Sequence, residues 1–117
     1  MNTVNPFELW IAKDFLGDHG RRPVVIISSG EDSDAPVTVI PLTSNREKTQ
    51  LPTHVLLSGQ GLDHTSRALC EQVTTIPRTM LTRRVGQIYD PYDRFALRHA
   101  LAVHLGLQAE EGSLAWN

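Results

Sequence analysis

The chain has 117 residues, a formal net charge of −2, 40% hydrophobic residues and 21% charged ones. These are ordinary values for one globular domain with a core of its own, and they exclude a protein whose whole surface is a basic nucleic-acid footprint; any anion site must be a local patch. The single cysteine, Cys70, excludes an internal disulfide and a Cys-pair zinc site, fits a reducing cytoplasm, and no apolar run is long enough to span a membrane.

Residues 1–6 read as a loose lead-in, with neither the basic region nor the apolar core of a signal peptide. Glu8-Leu9-Trp10-Ile11-Ala12 reads as a short strand. The 13–21 loop carries Gly17 and Gly20, which suit a tight turn and a release into the next strand. Arg21 and Arg22 then open the run Pro23-Val24-Val25-Ile26-Ile27. Its β-branched residues are stiff and pack well on a pleated surface, so the run predicts a strand buried on both faces. Val37-Thr38-Val39-Ile40-Pro41-Leu42 predicts a further strand that bulges or ends near Pro41, which has no N–H for a ladder. Thr43, Ser44 and Asn45 place two hydroxyls and an amide at its exit.

A fourth strand is expected over 51–57 and a fifth over 67–73, the latter with Ala68 and Cys70 on one face and Arg67, Leu69 and Glu71 on the other. A single helical turn is expected within 75–81, then a last strand over 85–89. The C-terminal element is a helix: Asp90 suits the N-cap, Pro91 the first helical position, Asp93 the first turn and Gly106 the C-cap. Phe95, Ala96, Leu97, Ala100, Leu101, Val103 and Leu105 form a broad apolar stripe on it, and 108–117 read as a loose end. The whole is a single mainly β domain over 1–117, a small antiparallel barrel with a helical lid.

Most chemical motifs are missing. The histidines, His19, His54, His64, His99 and His104, include no i, i+4 pair of the kind a helical metal site uses, and there is no Gly-rich phosphate loop, so neither metal nor cofactor is expected. Cys70 reads as a buried structural thiol rather than a nucleophile. What remains is a set of polar groups at strand ends: Arg22, Thr43 with Ser44, and Glu71 with Gln72. Arginine neutralises a phosphate and the charge that builds on it; a threonine hydroxyl donates to a second oxygen; a carboxylate accepts a proton. RNA carries its own nucleophile, the 2′-hydroxyl, so such a set suits ribonuclease chemistry of the cyclising kind.

In order and spacing these segments resemble the MazF/PemK family of toxin ribonucleases. The match runs through Glu8-Leu9-Trp10, Arg22-Pro23-Val24-Val25-Ile26, Val39-Ile40-Pro41-Leu42-Thr43-Ser44, Leu51-Pro52-Thr53-His54-Val55, Gly61-Leu62, Cys70-Glu71-Gln72-Val73 and Val85-Gly86, from about residue 7 to residue 107. The resemblance implies an SH3-like barrel with a C-terminal helix, a homodimer, and a cytoplasmic toxin of a type II toxin–antitoxin system. It also implies metal-independent, sequence-specific cleavage of single-stranded mRNA, leaving a 2′,3′-cyclic phosphate and a 5′-hydroxyl, and a cognate antitoxin that covers the RNA groove. Residue by residue it implies Arg22, Thr43 and Glu71 as catalytic groups, with Ser44, His19, Arg21 and Gln72 as RNA contacts. Three departures stand out. Phe7 replaces a usual glycine, the 13–21 loop is short, and Leu69 stands where some members carry an arginine, which leaves Arg22 alone or helped by Arg67. Two alternatives on the same scaffold stay open: a CcdB-like, non-enzymatic inhibitor of DNA gyrase, and a catalytically degenerate member that only binds antitoxin.

Overall fold

The computed structural model describes residues 3–13, 20–28, 34–44 and 50–107. Seven strands form an antiparallel sheet: β1 (Glu8–Lys13), β2 (Arg21–Ile26), β3 (Val37–Thr43), β4 (His54–Leu57), β5 (Ser66–Leu69), β6 (Thr74–Ile76) and β7 (Leu81–Gln87). One helix, α1 (Pro91–Leu105), follows. The hydrogen-bonded order is β4-β5-β3-β2-β1-β7, with β6 beside β3. The mainly β, antiparallel expectation holds, and the ladder path is open between β7 and β4 rather than closed into a ring.

β2 and β3 are central and buried on both faces, because their side chains serve two cores. Phe7, Leu9, Val25, Ile40, Leu42, Val55, Leu57, Ala68, Cys70 and Ile88 pack on one side under Leu97 and Ala100 of α1. Val4, Trp10, Ala12, Val24, Ile26, Val37, Val39 and Ile76 pack on the other. The period of two along each strand sends neighbours to opposite cores, as the Val24–Val25–Ile26 and Val39–Ile40 runs show. Ala68 and Cys70 share a face, as their alternation predicts.

Several element boundaries differ from the sequence reading. β3 runs two residues past Pro41, which still pairs with Val24 on β2, because Leu42 and Thr43 take new partners, Ala68 and Arg67, on β5. The first three residues of the expected fourth strand form a turn, in which His54 N donates to Leu51 O at 3.0 Å. The expected 67–73 strand stops at Leu69 and turns into a short 3-10 segment, Cys70–Gln72. The expected helical turn within 75–81 is β6 followed by a 3-10 turn, Arg78–Met80, and the last strand starts at Leu81. The cause is common to these changes. β3 pairs with β6 through Val37–Val39 and with β5 through Leu42–Thr43, so the chain between β5 and β6 must break its ladder and step along β3.

α1 begins and ends as its sequence predicts. Asp90 Oδ1 accepts from Tyr92 N at 2.8 Å and Asp93 N at 3.2 Å, and Pro91 opens the first turn. Gly106 adopts φ 70°, and Leu107 N donates to Ala102 O at 2.8 Å, the Schellman closure. The apolar stripe is narrower than predicted. Leu97 and Ala100 are buried, whereas Phe95 stays 66% exposed and stacks on His99 at 6.0 Å.

Candidate active site

The geometry of the site follows from register. On β2, Arg22 alternates with Val24 and Ile26; on β3, Thr43 alternates with Pro41 and Val39. The recorded pairs Val24↔Pro41, Val25↔Ile40 and Ile26↔Val39 set the β2–β3 register. Continued two residues further, that register sets Arg22 opposite Thr43 on one face. On its other flank Thr43 pairs with Arg67 of β5, which in turn pairs with Leu56 of β4. Arg22 pairs with Ala12 of β1. Cross-strand partners share a face, so Thr43 and Arg67 share one, and the β2–β3 register, continued past its last pair at Val24↔Pro41, puts Arg22 on that face too.

The next row along β4 and β5 is His54↔Leu69. His54, buried on its strand, reaches Glu71 on the 3-10 segment. Leu51 N donates to His54 Nδ1 at 3.1 Å, so the ring proton sits on Nε2, which donates to Glu71 Oε2 at 3.0 Å. Thr53 Oγ1 donates to Glu71 Oε1 at 2.9 Å. Desolvation pushes the Glu71 carboxyl up, but the hydrogen bonds from His54, from its own backbone N–H and from Thr53 outweigh it and lower the pKa below its ordinary 4.5. The adjacent Cys70 thiol is pushed up to about 12 by burial and by the Glu71 charge, which makes it inert as a nucleophile and fits the structural role read from its sequence context.

The sequence-derived candidates therefore separate. The continued β2–β3 register sets Arg22 level with Thr43, with Glu71 held by the next row, His54↔Leu69. Arg21 pairs with Lys13 and, one residue from Arg22, projects to the opposite face. Ser44 lines a cleft of about 370 Å³ together with Ile11, Pro23, Leu62, His64 and Arg83; Ile11 and Pro23 lie on the strand face opposite Arg22. Gln72 is half-buried in the 3-10 segment beside Glu71. His19 lies outside the described residues. Thr53 and His54 were absent from the candidate set. Their link to Glu71 spans 17 or 18 residues and rests on the break between β5 and β6, which no local pattern announces. Arg67 was visible as the polar member of an alternating strand, but only the ladder puts it against Thr43.

A family profile described as "PemK-like, MazF-like toxin of type II toxin-antitoxin system" matches residues 7–105. A curated protein of Mycolicibacterium smegmatis, named "Probable endoribonuclease MazF", is 37% identical, over 74% of this chain and 81% of its own length. A solved endoribonuclease from a mycobacterial species, in complex with its cognate antitoxin, superposes with a TM-score of 0.76 at 23% identity, over 92% of this chain and all of the other. The Mycobacterium tuberculosis toxin MazF-mt6 superposes with a TM-score of 0.71 at 26% identity, over 86% of this chain and 98% of the other. With a profile spanning nearly the whole described chain and a relative of this identity, the chain belongs to the PemK-like, MazF-like family of type II toxin–antitoxin toxins.

Proposed function

We propose that the protein is the toxin of its system and acts as an endoribonuclease, cutting single-stranded RNA at short sequences without a metal ion. The observation that carries this reading is the β2–β3 register, which, continued two residues past Val24↔Pro41, sets Arg22 level with Thr43 on one sheet face, in a chain whose curated relative is named an endoribonuclease. In the reaction the RNA 2′-oxygen bonds to phosphorus as its proton leaves. The bond from phosphorus to the 5′-oxygen breaks, and that oxygen takes a proton. Charge grows on the non-bridging phosphate oxygens. Arg22 neutralises that charge with a guanidinium fork, and Thr43 donates its hydroxyl to the same group.

Glu71 fits this scheme as the proton acceptor if the 2′-hydroxyl replaces the Thr53 hydroxyl on Oε1. Its lowered pKa keeps it ionised at neutral pH and makes it a weak base, so most of the rate comes from Arg22 and Thr43. Ser44, Arg21 and Gln72 lie beside the row or on the opposite face, where they contact flanking nucleotides. His19 is carried over as a further RNA contact from the resemblance alone. The active form is a homodimer, and a cognate antitoxin covers the RNA face; relatives solved with an antitoxin support that partner. Among the described residues no helix is long and apolar enough to cross a membrane.

The test is direct. Purified protein incubated in EDTA with a varied pool of single-stranded RNA releases fragments ending in 2′,3′-cyclic phosphate and 5′-hydroxyl. Arg22→Ala and Thr43→Ala each lower kcat by about 100- to 1,000-fold, the usual cost of one lost transition-state donor. An intact pool, combined with trapped gyrase–DNA complexes, would convert the reading to a gyrase inhibitor. An intact pool with retained antitoxin binding would make it a degenerate member. Sedimentation at micromolar concentration is expected to give twice the 13.0 kDa chain mass.

A further inference from the structure

We propose that Arg67 is the second phosphate-binding cation of this site, closing on the same RNA phosphate as Arg22 from the far side of Thr43. The proposal rests on the endoribonuclease reading above. It comes from the ladders: Arg67 is the cross-strand partner of Thr43, and the β2–β3 register, continued two residues past Val24↔Pro41, sets Arg22 level with Thr43 on the other flank. Adjacent strands lie about 4.8 Å apart, so the two arginine backbones stand about 10 Å apart with the hydroxyl midway. Two extended arginine side chains span that gap, and an anion above Thr43 sits within reach of both forks. Arg67 pairs across the ladder with Leu56, which is 53% exposed, and its Nε is buried, so the stem packs against the sheet.

The surroundings support a cation in this place. Glu71, the carboxylate of the next row, already accepts from Thr53 and His54. Leu69, two residues along β5, is 1% exposed and faces His54, so it leaves β5 only Arg67 as a cation on this side of the row. The chemistry asks for two cations as well. A phosphodiester carries one negative charge and gains a second as the 2′-oxygen adds. One guanidinium fork covers two oxygens on one side, and a second fork from the opposite side meets the charge that is still growing. Arg67 takes part in neither proton transfer.

The experiment compares wild type, Arg67→Ala, Arg67→Gln and Arg67→Lys on the RNA pool in EDTA. It also measures binding of a non-cleavable 2′-deoxy form at several salt concentrations. Arg67→Ala and Arg67→Gln are expected to lower kcat about 100-fold. Arg67→Lys recovers part of the loss, and added guanidinium ion raises the rate of Arg67→Ala. The slope of log affinity against log salt falls by about 0.7 for each lost phosphate contact to a single strand. If wild type cuts and both neutral variants cut equally fast with an unchanged salt slope, the inference is lost and the ribonuclease reading stands. A slow, low-melting Arg67→Ala that neither lysine nor guanidinium rescues assigns Arg67 to the fold and also overturns it. If Arg67→Ala does not fold, Arg67→Gln, which keeps the stem and a polar tip, decides. If wild type leaves the whole pool intact, both readings fall together.

Discussion

Two regions of this sheet use polar groups in opposite ways. At the ends of β2, β3 and β5, Arg67 shares the face of Thr43 as its ladder partner, and Arg22 stands level with Thr43 when the β2–β3 register is continued. At the corner where the turn before β5 meets β7 and α1, polar groups turn inward on each other. Gln60 Oε1 accepts from Tyr89 N at 2.9 Å and Asp90 N at 3.1 Å, its Nε2 donates to Asp93 Oδ2 at 2.9 Å, and its carbonyl accepts from Gln87 N at 3.1 Å. One residue thereby ties the turn, the last strand and the N-terminus of the helix together, the strand through its carbonyl and the helix through its side chain. The first region is the candidate ligand face of the proposed function; in the second, the hydrogen bonds of Gln60 hold the turn, the end of β7 and the start of α1 together. The two should therefore respond oppositely to mutation, one in rate and the other in stability.

The largest expected effect on stability lies at the corner. A Cβ on Gly86 would stand 1.9 Å from Gln60 O, and one on Gly61 would stand 2.2 Å from Val85 O, against backbone that cannot swing aside. Gly86→Ala is expected to cost about 3 kcal/mol or more in thermal or urea unfolding, as overpacking against main chain does. The rate per folded molecule should not change. A loss of RNA cleavage in the fraction that still folds would break the division between the two regions. A smaller change at the same corner, Gln60→Ala, removes the partners of two N–H groups and a carboxylate on a half-buried site, at about 1–2 kcal/mol.

Between these two effects lies Phe7. It holds φ 69°, a left-handed conformation that favours glycine, which is the residue the resembling family usually carries there. The strain costs about 1–2 kcal/mol. Its ring is buried, and the Arg94 and Arg98 guanidinium centres lie over it at 4.8 and 4.9 Å from the ring centroid. Deleting a buried phenyl ring costs about 3–5 kcal/mol, so Phe7→Gly is expected to give a net loss of about 2 kcal/mol. A variant more stable than wild type would mean that strain outweighs packing.

These residues also mark what could be read without a structure. The β-branched runs at 23–27 and 37–42, the Asp90-Pro91 helix start and the Gly106 stop each announce themselves within a few positions, because the physics behind them is local. Arg22 and Thr43 stand out as candidates through the order of the segments around them. The 67–73 run was misread past Leu69, because its alternation continues through Cys70 and Glu71 while the ladder does not. What ends the strand is β3 changing partners, from Arg67 opposite Thr43 to Thr74 opposite Val39, contacts far apart in sequence. For the same reason Gln60 read only as a turn residue, and the hold of Thr53 and His54 on Glu71 was invisible.

The smallest effect tests where Glu71 belongs, since it borders the charged row yet is fastened like the corner. Its pKa is lower in the folded chain than its ordinary 4.5, the value an unfolded chain restores. The ionised carboxylate therefore stabilises the fold at pH values above 4.5, and that contribution is lost as pH falls through the lower folded value. Urea unfolding of wild type should accordingly weaken between neutral pH and the acid side of 4.5, on top of the loss shared by the other carboxylates. Glu71→Gln removes that part of the pH dependence. It keeps an acceptor for one of the two donors, Thr53 or His54, and should cost about 1 kcal/mol at pH 7, near the value of a part-exposed charged hydrogen bond. The rate separates the roles. If Glu71 takes the 2′-hydroxyl proton, Glu71→Gln cuts RNA at least about 100-fold more slowly while melting close to wild type. If it only fastens the 3-10 segment, the rate and the stability fall together and by little. In that case the charged row Arg22–Thr43–Arg67 carries the chemistry with a base drawn from the substrate's own surroundings.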